Sequence, residues 1–286
     1  MIFSLPLKTF AGSATDKLVQ IEQDTYGAEK VGAILDRISR LEKDFFGENM
    51  RGNMNARIDS MYMSLYENVG EPGILAKVNA LEWNVNQEVS EGGVDERLSA
   101  LEETILGKVQ TGSFSARIRK LSQATFGDEN IPMIQIQLPA DTLVKVALTE
   151  SITSKTLQVG DTVHIKVVEN VLVDGKVVFA KGLRGEGIVK SVRKAKGWTG
   201  RNGKVDVNFE TLRTIDGRDI STYVGDAAKA EMEQKQMIEG ASLVAMNLND
   251  DWNKVLVRGK NLELTAGTEL YIQTKSPAAV YVLTVD

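Results

Sequence analysis

The stretch Ile34-Leu35-Asp36-Arg37-Ile38-Ser39-Arg40-Leu41-Glu42-Lys43-Asp44-Phe45-Phe46-Gly47 decides how the first half of the chain folds. Its apolar residues Ile34, Ile38, Leu41 and Phe45 fall at i, i+4, i+7 and i+11, which is one face of an α-helix. Between residues 16 and 127 the pattern returns with a strict period of 20. One column reads Ile21, Leu41, Met61, Leu81, Leu101, Leu121, and the next reads Glu22, Glu42, Tyr62, Glu82, Glu102, Ser122. A third, basic column reads Arg37, Arg57, Lys77, Arg97, Arg117. Tyr26, Phe46, Leu106 and Phe126 are each followed by a glycine suited to a left-handed helix end.

A single long helix is excluded by the period itself. Twenty residues at about 100° each turn the apolar stripe by about 200° per copy, nearly onto the opposite face. The array therefore breaks at its glycines into about six helices of ~13 residues, which pack as a bundle or short solenoid. Asn53 and Ser113 are the expected N-caps. Arg37 and Glu42 are five apart and point away from each other on their own helix. The basic column Arg37, Arg57, Lys77, Arg97, Arg117 is therefore expected to face the acidic column Glu42, Glu82, Glu102 of another helix as a charge ladder, or else to be solvated surface. Met50, Met54, Met61, Tyr62, Met63 and Tyr66 make the third helix soft and apolar, which fits core packing or an exposed face for self-association.

Composition narrows the function. The 286 residues contain no cysteine and one histidine, His164, which removes thiolate chemistry and most zinc and triad chemistry. No cofactor or metal is expected, and neither is an enzyme. The net charge of −5 is uneven: residues 1–130 carry 14 Lys and Arg against 20 Asp and Glu, residues 131–286 carry 20 against 19. Neither part is basic enough to make nucleic acid the main partner. No run is long and apolar enough for a transmembrane helix. Residues 1–14, with the apolar Met1 to Leu7 and small residues near Ala11 and Ala14, read as a signal-peptide remnant or a flexible N-terminus, with Met1 inside a longer signal. Residues 15–130 then form the helical repeat domain and 131–286 a second domain.

From Ile131 the period changes to two. Met133–Leu138, Thr142–Leu148, Thr162–Val168, Gly187–Val192 and Lys204–Phe209 alternate as strands, and further strands are expected at Val255–Val257, Leu262–Leu264, Leu270–Gln273 and Val280–Val285. Asp174-Gly175, Lys181-Gly182, Asn202-Gly203 and Asp216-Gly217 mark turns. This predicts an antiparallel β-barrel or sandwich. One helix, about 226–246 and capped by Asp226, is inserted into it, so the chain as a whole is α+β.

The segments Thr142–Leu148, Val159-Gly160-Asp161-Thr162, Val171–Gly175, Lys181-Gly182, Gly187-Ile188-Val189, Asp216–Ile220 and Thr265–Glu269 resemble the β domain of TrbI-type conjugation and type IV secretion outer-membrane proteins. That resemblance implies a helical hairpin between the Asp-Gly strand and the late strand, which in the family enters the outer membrane as a ring. The corresponding stretch 226–260, with Asn247, Asn249, Asp250, Asp251 and Lys254, is too polar and short to span a bilayer that way. The combination of repeats and β domain is also similar to uncharacterised envelope proteins of diderm Firmicutes. Both resemblances imply an extracytoplasmic location, in the periplasm, at the outer membrane or on the cell surface.

Two sites remain. His164 alternates with Val163 and Ile165 and reads as a partly exposed structural histidine. Lys190, Arg193, Lys194, Lys196, Arg201 and Lys204, with Trp198 among them, form a basic hairpin tip without an acid. It is either a contact for cell-wall glycan or lipopolysaccharide or a solvated loop that guards an edge. The expected function is a non-enzymatic extracytoplasmic structural protein whose partner is itself, as homo-oligomer or filament. The alternative is a ring-forming component of an outer-membrane secretion channel.

Overall fold

The structure, a computed structural model, describes residues 13–196, 202–239 and 261–284. They fall into two compact units, one built from the chain up to 85 and from 90–132, the other from 86–89 and from 133 onward. The chain is α+β, with six regular helices followed by an antiparallel β unit that carries one inserted helix.

The helices keep the period of the sequence: α1 Ala14–Tyr26, α2 Ile34–Phe46, α3 Met54–Tyr66, α4 Ile74–Asn86, α5 Val94–Leu106 and α6 Phe114–Phe126, each of 13 residues. Gly27, Gly47, Gly107 and Gly127 close four of them in the left-handed conformation that an L side chain resists. The two copies without that glycine differ: α3 runs out through an extended Glu67, and after α4 Gln87 takes the positive φ itself. Asn53 and Ser113 accept from the amides of Ala56 and Ala116, and Ser13 with Asp16 forms a reciprocal capping box at α1.

All six helices contribute to one core, including Leu18, Ile21, Ile38, Leu41, Ile58, Met61, Val78, Leu81, Leu98, Leu101, Ile118 and Leu121. The helix α1 packs on α3 and α5, α2 on α3 and α6, and α5 on α6. Contacts that skip neighbours make this a bundle rather than a solenoid, in which each repeat would touch only the next. Phe45 of α2 meets Phe114 of α6 edge to face at 5.3 Å. The Met/Tyr helix is mostly inward: Met61 and Leu65 are core, Met54, Tyr62 and Tyr66 pack against it, and Met63 is exposed.

The β unit contains β1 Met133–Leu138, β2 Leu143–Leu148, β3 Ile152–Thr153, β4 Thr162–Val167, β5 Val171–Val173, β6 Lys176–Phe179, β7 Arg184–Arg193, β8 Lys204–Arg213 and β9 Asp219–Tyr223. The inserted helix α7 Asp226–Glu239 follows, then β10 Glu263–Leu264, β11 Glu269–Thr274 and β12 Ala278–Thr284. Strands β11-β2-β4-β7-β8-β9 close a barrel, and β1-β12-β6-β5 form a second, open sheet. Alternation fills the barrel with Val144, Val146, Val163, Ile165, Val207, Phe209 and Ile272, all fully buried. The β8–β9 turn fastens barrel to sheet. The Ile215 amide donates to the Val178 carbonyl at 2.8 Å, Arg218 Nη1 to the Ala279 carbonyl at 2.6 Å, and the Tyr281 amide to Asp216 Oδ2 at 2.9 Å.

Several boundaries differ from the sequence reading. Strand β7 begins at Arg184 and β8 continues to Arg213, because their pairing shifts register twice and breaks the alternation that marks a strand. Asp226 is the first residue of α7 rather than its cap. The first helical bond runs from Lys229 to the Gly225 carbonyl, and the Ala228 amide is taken up by the buried Gln273 side chain at 3.1 Å. Gly203, in the connection between β7 and β8, also allows a close approach, since a Cβ there would lie 2.2 Å from Ser154 Oγ and 2.8 Å from the Leu262 nitrogen. The expected helix segment after Glu239, the strand Val255–Val257 and residues 1–12 lie outside the described residues.

Candidate functional site

The repeat places a carboxylate on the inner turn of one helix and a guanidinium near the start of the next, always 15 residues on. Arg37 donates through Nε and Nη2 to the two oxygens of Glu22 at 3.0 and 2.7 Å, and Arg57 does the same to Glu42 at 2.6 and 2.7 Å. Arg117 reaches Glu102 at 2.9 and 3.0 Å, while Arg97 directs both groups to Glu82 Oε2 at 3.0 and 2.6 Å. The planar fork of arginine matches a carboxylate in this way and lysine does not. Glu22, Glu42 and Glu102 are wholly buried, and the Glu82 and Arg97 side chains are only 3% and 6% exposed.

Each rung does more than pair two charges. Glu22, Glu82 and Glu102 also accept the backbone amide eight residues ahead, from Lys30, Ser90 and Gln110, at 2.9–3.0 Å. One carboxylate thus holds its own helix, the following connector and the next helix. On the arginine side, Nη2 of Arg57, Arg97 and Arg117 also donates to Ser39, Asn79 and Ser99, the residue three before the glutamate in each case. The hydrogen bond to Glu22 raises the Arg37 pKa, and that to Glu42 raises Arg57. At Arg117 burial acts to lower it, and the hydrogen bonds to Glu102 and Asp95 outweigh burial. These groups stay charged at every physiological pH.

The ladder is interrupted once. Where the acidic column reads Tyr62, the arginine 15 residues later is replaced by Lys77, which turns to Glu71 at 2.9 Å in a pair 27% and 79% exposed. It also ends cleanly: in α6, the last helix of the repeat, Ser122 stands in the acidic column, buried, its hydroxyl without a hydrogen-bond partner among the described residues. Glu22 stands in the acidic column but not in the ladder expected from sequence, and Ser39, Asn79, Ser99 and the connector amides were not singled out, although the fixed spacing of 15 between columns is legible there.

The basic hairpin is less concentrated than its sequence. Lys190 pairs with Glu210 at 3.3 Å, Arg193 Nε donates to the Asn202 carbonyl at 3.2 Å, and Lys204 sits opposite Arg193 in the β7–β8 ladder. The base of the loop is fastened by Asn261, whose Oδ1 accepts the Ala195 amide at 2.9 Å. Lys194 and Lys196 belong to this described base, whereas Trp198 and Arg201 lie outside the described residues. His164 is half exposed opposite Glu186, its Nδ1 4.0 Å from the carboxylate, while Val163 and Ile165 are buried. Among the described residues no cluster of histidine, aspartate and glutamate has the geometry to hold a metal ion. Among them, too, no helix is long and apolar enough to cross a membrane.

No protein-family model matches the chain, and no curated protein matches it. Among solved structures, ComB10 of the Com type IV secretion system of Helicobacter pylori is similar over 49% of this chain and 88% of its own length, at 13% identity and a TM-score of 0.28.

Proposed function

We propose that this chain is a non-enzymatic, extracytoplasmic assembly protein of the cell envelope that associates with copies of itself. The observation that carries the reading is the ladder. The charged columns that dominate the repeat are consumed inside the bundle as buried rungs, so the chemistry of the repeat fixes shape rather than a reaction. What the connectors leave outside includes Val31, Val69 and Val109, exposed apolar residues of the kind that protein contacts cover. The extracytoplasmic setting rests on the sequence resemblances and on the apolar character of Met1 to Leu7.

Light scattering after size exclusion, followed by negative-stain imaging, tests the reading: filaments or sheets are expected. Closed rings would favour the alternative, a ring-forming component of an outer-membrane secretion channel, and a monomer at every concentration would refute both. A contact with cell-wall glycan or lipopolysaccharide through Lys194, Lys196 and Arg201 belongs to the same proposal. It requires salt-sensitive binding that the triple alanine variant loses.

A further inference from the structure

Sheet edges expose unpaired backbone groups, and proteins normally shorten, charge or cover them. The barrel has no edge, and the open sheet has two. One is β5, three residues long, with Glu169 and Asp174 close to its ends. The other is β1, which is neither shorter than an ordinary strand nor charged. It is six residues long and pairs along its full length with β12, from Met133 opposite Leu283 to Leu138 opposite Ala278, and among the described residues no strand pairs with its outer side. From Ile131 to Ala140 there is no charged residue, and Ile134, Gln135 and Gln137 are exposed, Ile134 by 43%.

We propose that β1 is a strand-addition site whose occupant is β1 of a second copy of this chain, joined antiparallel across a two-fold axis. The proposal rests on the assembly reading above and names one surface of it, a closed two-fold contact that makes the dimer from which filaments or sheets would grow through a second contact. A two-fold axis brings each residue opposite its own kind or a near neighbour, so any charge on the strand would be repelled; this strand has none. A register centred on Gln135 places Gln135 opposite Gln135, each Ile134 opposite the other copy's Ile136, and each Met133 opposite Gln137. The isoleucines then meet on one face, the glutamines lie on the other with Met133 beside Gln137, and directly opposed residues share a face as the pleat demands. Pro132 and Pro139, which lack an amide proton, bracket the strand, and because this register sets Leu138 opposite Pro132 it confines pairing to residues 133–137. The two open sheets would become one continuous sheet of eight strands.

The test uses the full chain, whose lack of cysteine makes single-cysteine variants unambiguous. Sedimentation over a concentration series is expected to show a reversible dimer as the smallest assembled species. Ile134→Lys should weaken it by about tenfold or more without changing the circular dichroism spectrum. Gln135→Cys should form a disulfide-linked dimer under mild oxidation, because the register puts the two thiols face to face. Leu172→Cys, on the exposed part of β5, should not. Assembly that persists in Ile134→Lys, with no cross-link at Gln135, overturns the β1 site while leaving the assembly reading intact. A chain that stays monomeric throughout overturns both.

Discussion

Replacing Arg97 by alanine is the sharpest test of the ladder. The Glu82–Arg97 rung is the one in which both partners are almost wholly enclosed, at 3% and 6% exposure. In the variant, Glu82 Oε2 loses donors at 3.0 and 2.6 Å and keeps only the Ser90 amide at 3.0 Å, and the buried Asn79 Oδ1 loses its 2.6 Å donor. Removing one partner of a buried pair costs about 3–5 kcal/mol, because the remaining charge is stranded in a medium that solvates it poorly. The melting temperature of the helical unit should fall by roughly 6–20 °C.

Lys77→Ala supplies the internal control. The Lys77–Glu71 pair occupies the same repeat column but lies at the surface, so its loss should cost at most about 1 kcal/mol. Urea unfolding followed by far-ultraviolet circular dichroism measures both. The double variant Arg97→Met with Glu82→Leu should regain most of the single variant's loss, since the stranded carboxylate is gone. Equal, small losses for Arg97→Ala and Lys77→Ala would refute the claim that buried rungs hold the helices in register.

Other consequences are as direct. Ser122→Ala should be neutral or slightly stabilising, because the hydroxyl is buried without a partner, whereas Ser122→Glu should cost about 3–5 kcal/mol, there being no arginine to receive it; urea titration separates the two. Gln273→Ala strips the Ala228 amide and the Asp141 carbonyl of their partner, should cost about 1–3 kcal/mol, and should speed hydrogen exchange at Ala228. Burial foremost, with Asp95 nearby, raises the pKa of Asp44 against the hydrogen bond from Tyr26. A raised carboxylate binds its proton more tightly in the folded chain, so its contribution is full below the unfolded pKa and is lost as pH rises through the folded one. The stability of the wild type relative to Asp44→Asn should therefore fall with rising pH over that window, and a rise would contradict the assignment.

The helical unit was legible because helices bury one stripe, and a stripe sampled every 20 residues marks both where each helix lies and where it must stop. Glycine at Gly27, Gly47, Gly107 and Gly127 completes that message, since only a left-handed end needs it. What the columns do not contain is which helix meets which. Contacts such as α1 with α5 and α2 with α6 depend on the shape of the whole core, and nothing local encodes them. In the β unit the alternation identified strands but misplaced the ends of β7 and β8, because a register shift moves a residue to the other face without changing its type. The cap on α7 was invisible for a related reason: Gln273 is remote in sequence, and its amide is committed to Ala228 and Asp141 only once the barrel closes.

The exceptions in the ladder are as informative as the rule. A buried glutamate without its arginine is worse than no pair at all, so a change in one column must be matched in the other. Tyr62 replaces glutamate and, 15 residues on, Lys77 replaces arginine; Tyr62 packs on the core beside Tyr66, while Lys77 moves out to Glu71. Ser122 replaces glutamate where no further helix of the repeat follows. The paired changes divide the bundle into two runs, α1–α2–α3 and α4–α5–α6, each held by two rungs, with no rung between them and core contacts such as Phe45 on Phe114 joining them. A structure with rungs everywhere would have no preferred place to yield. Here the α3–α4 connector lacks both the rung and the left-handed glycine end at Glu67, so partial unfolding of the bundle should separate the two runs at that point, which hydrogen exchange at residues 67–73 would register first.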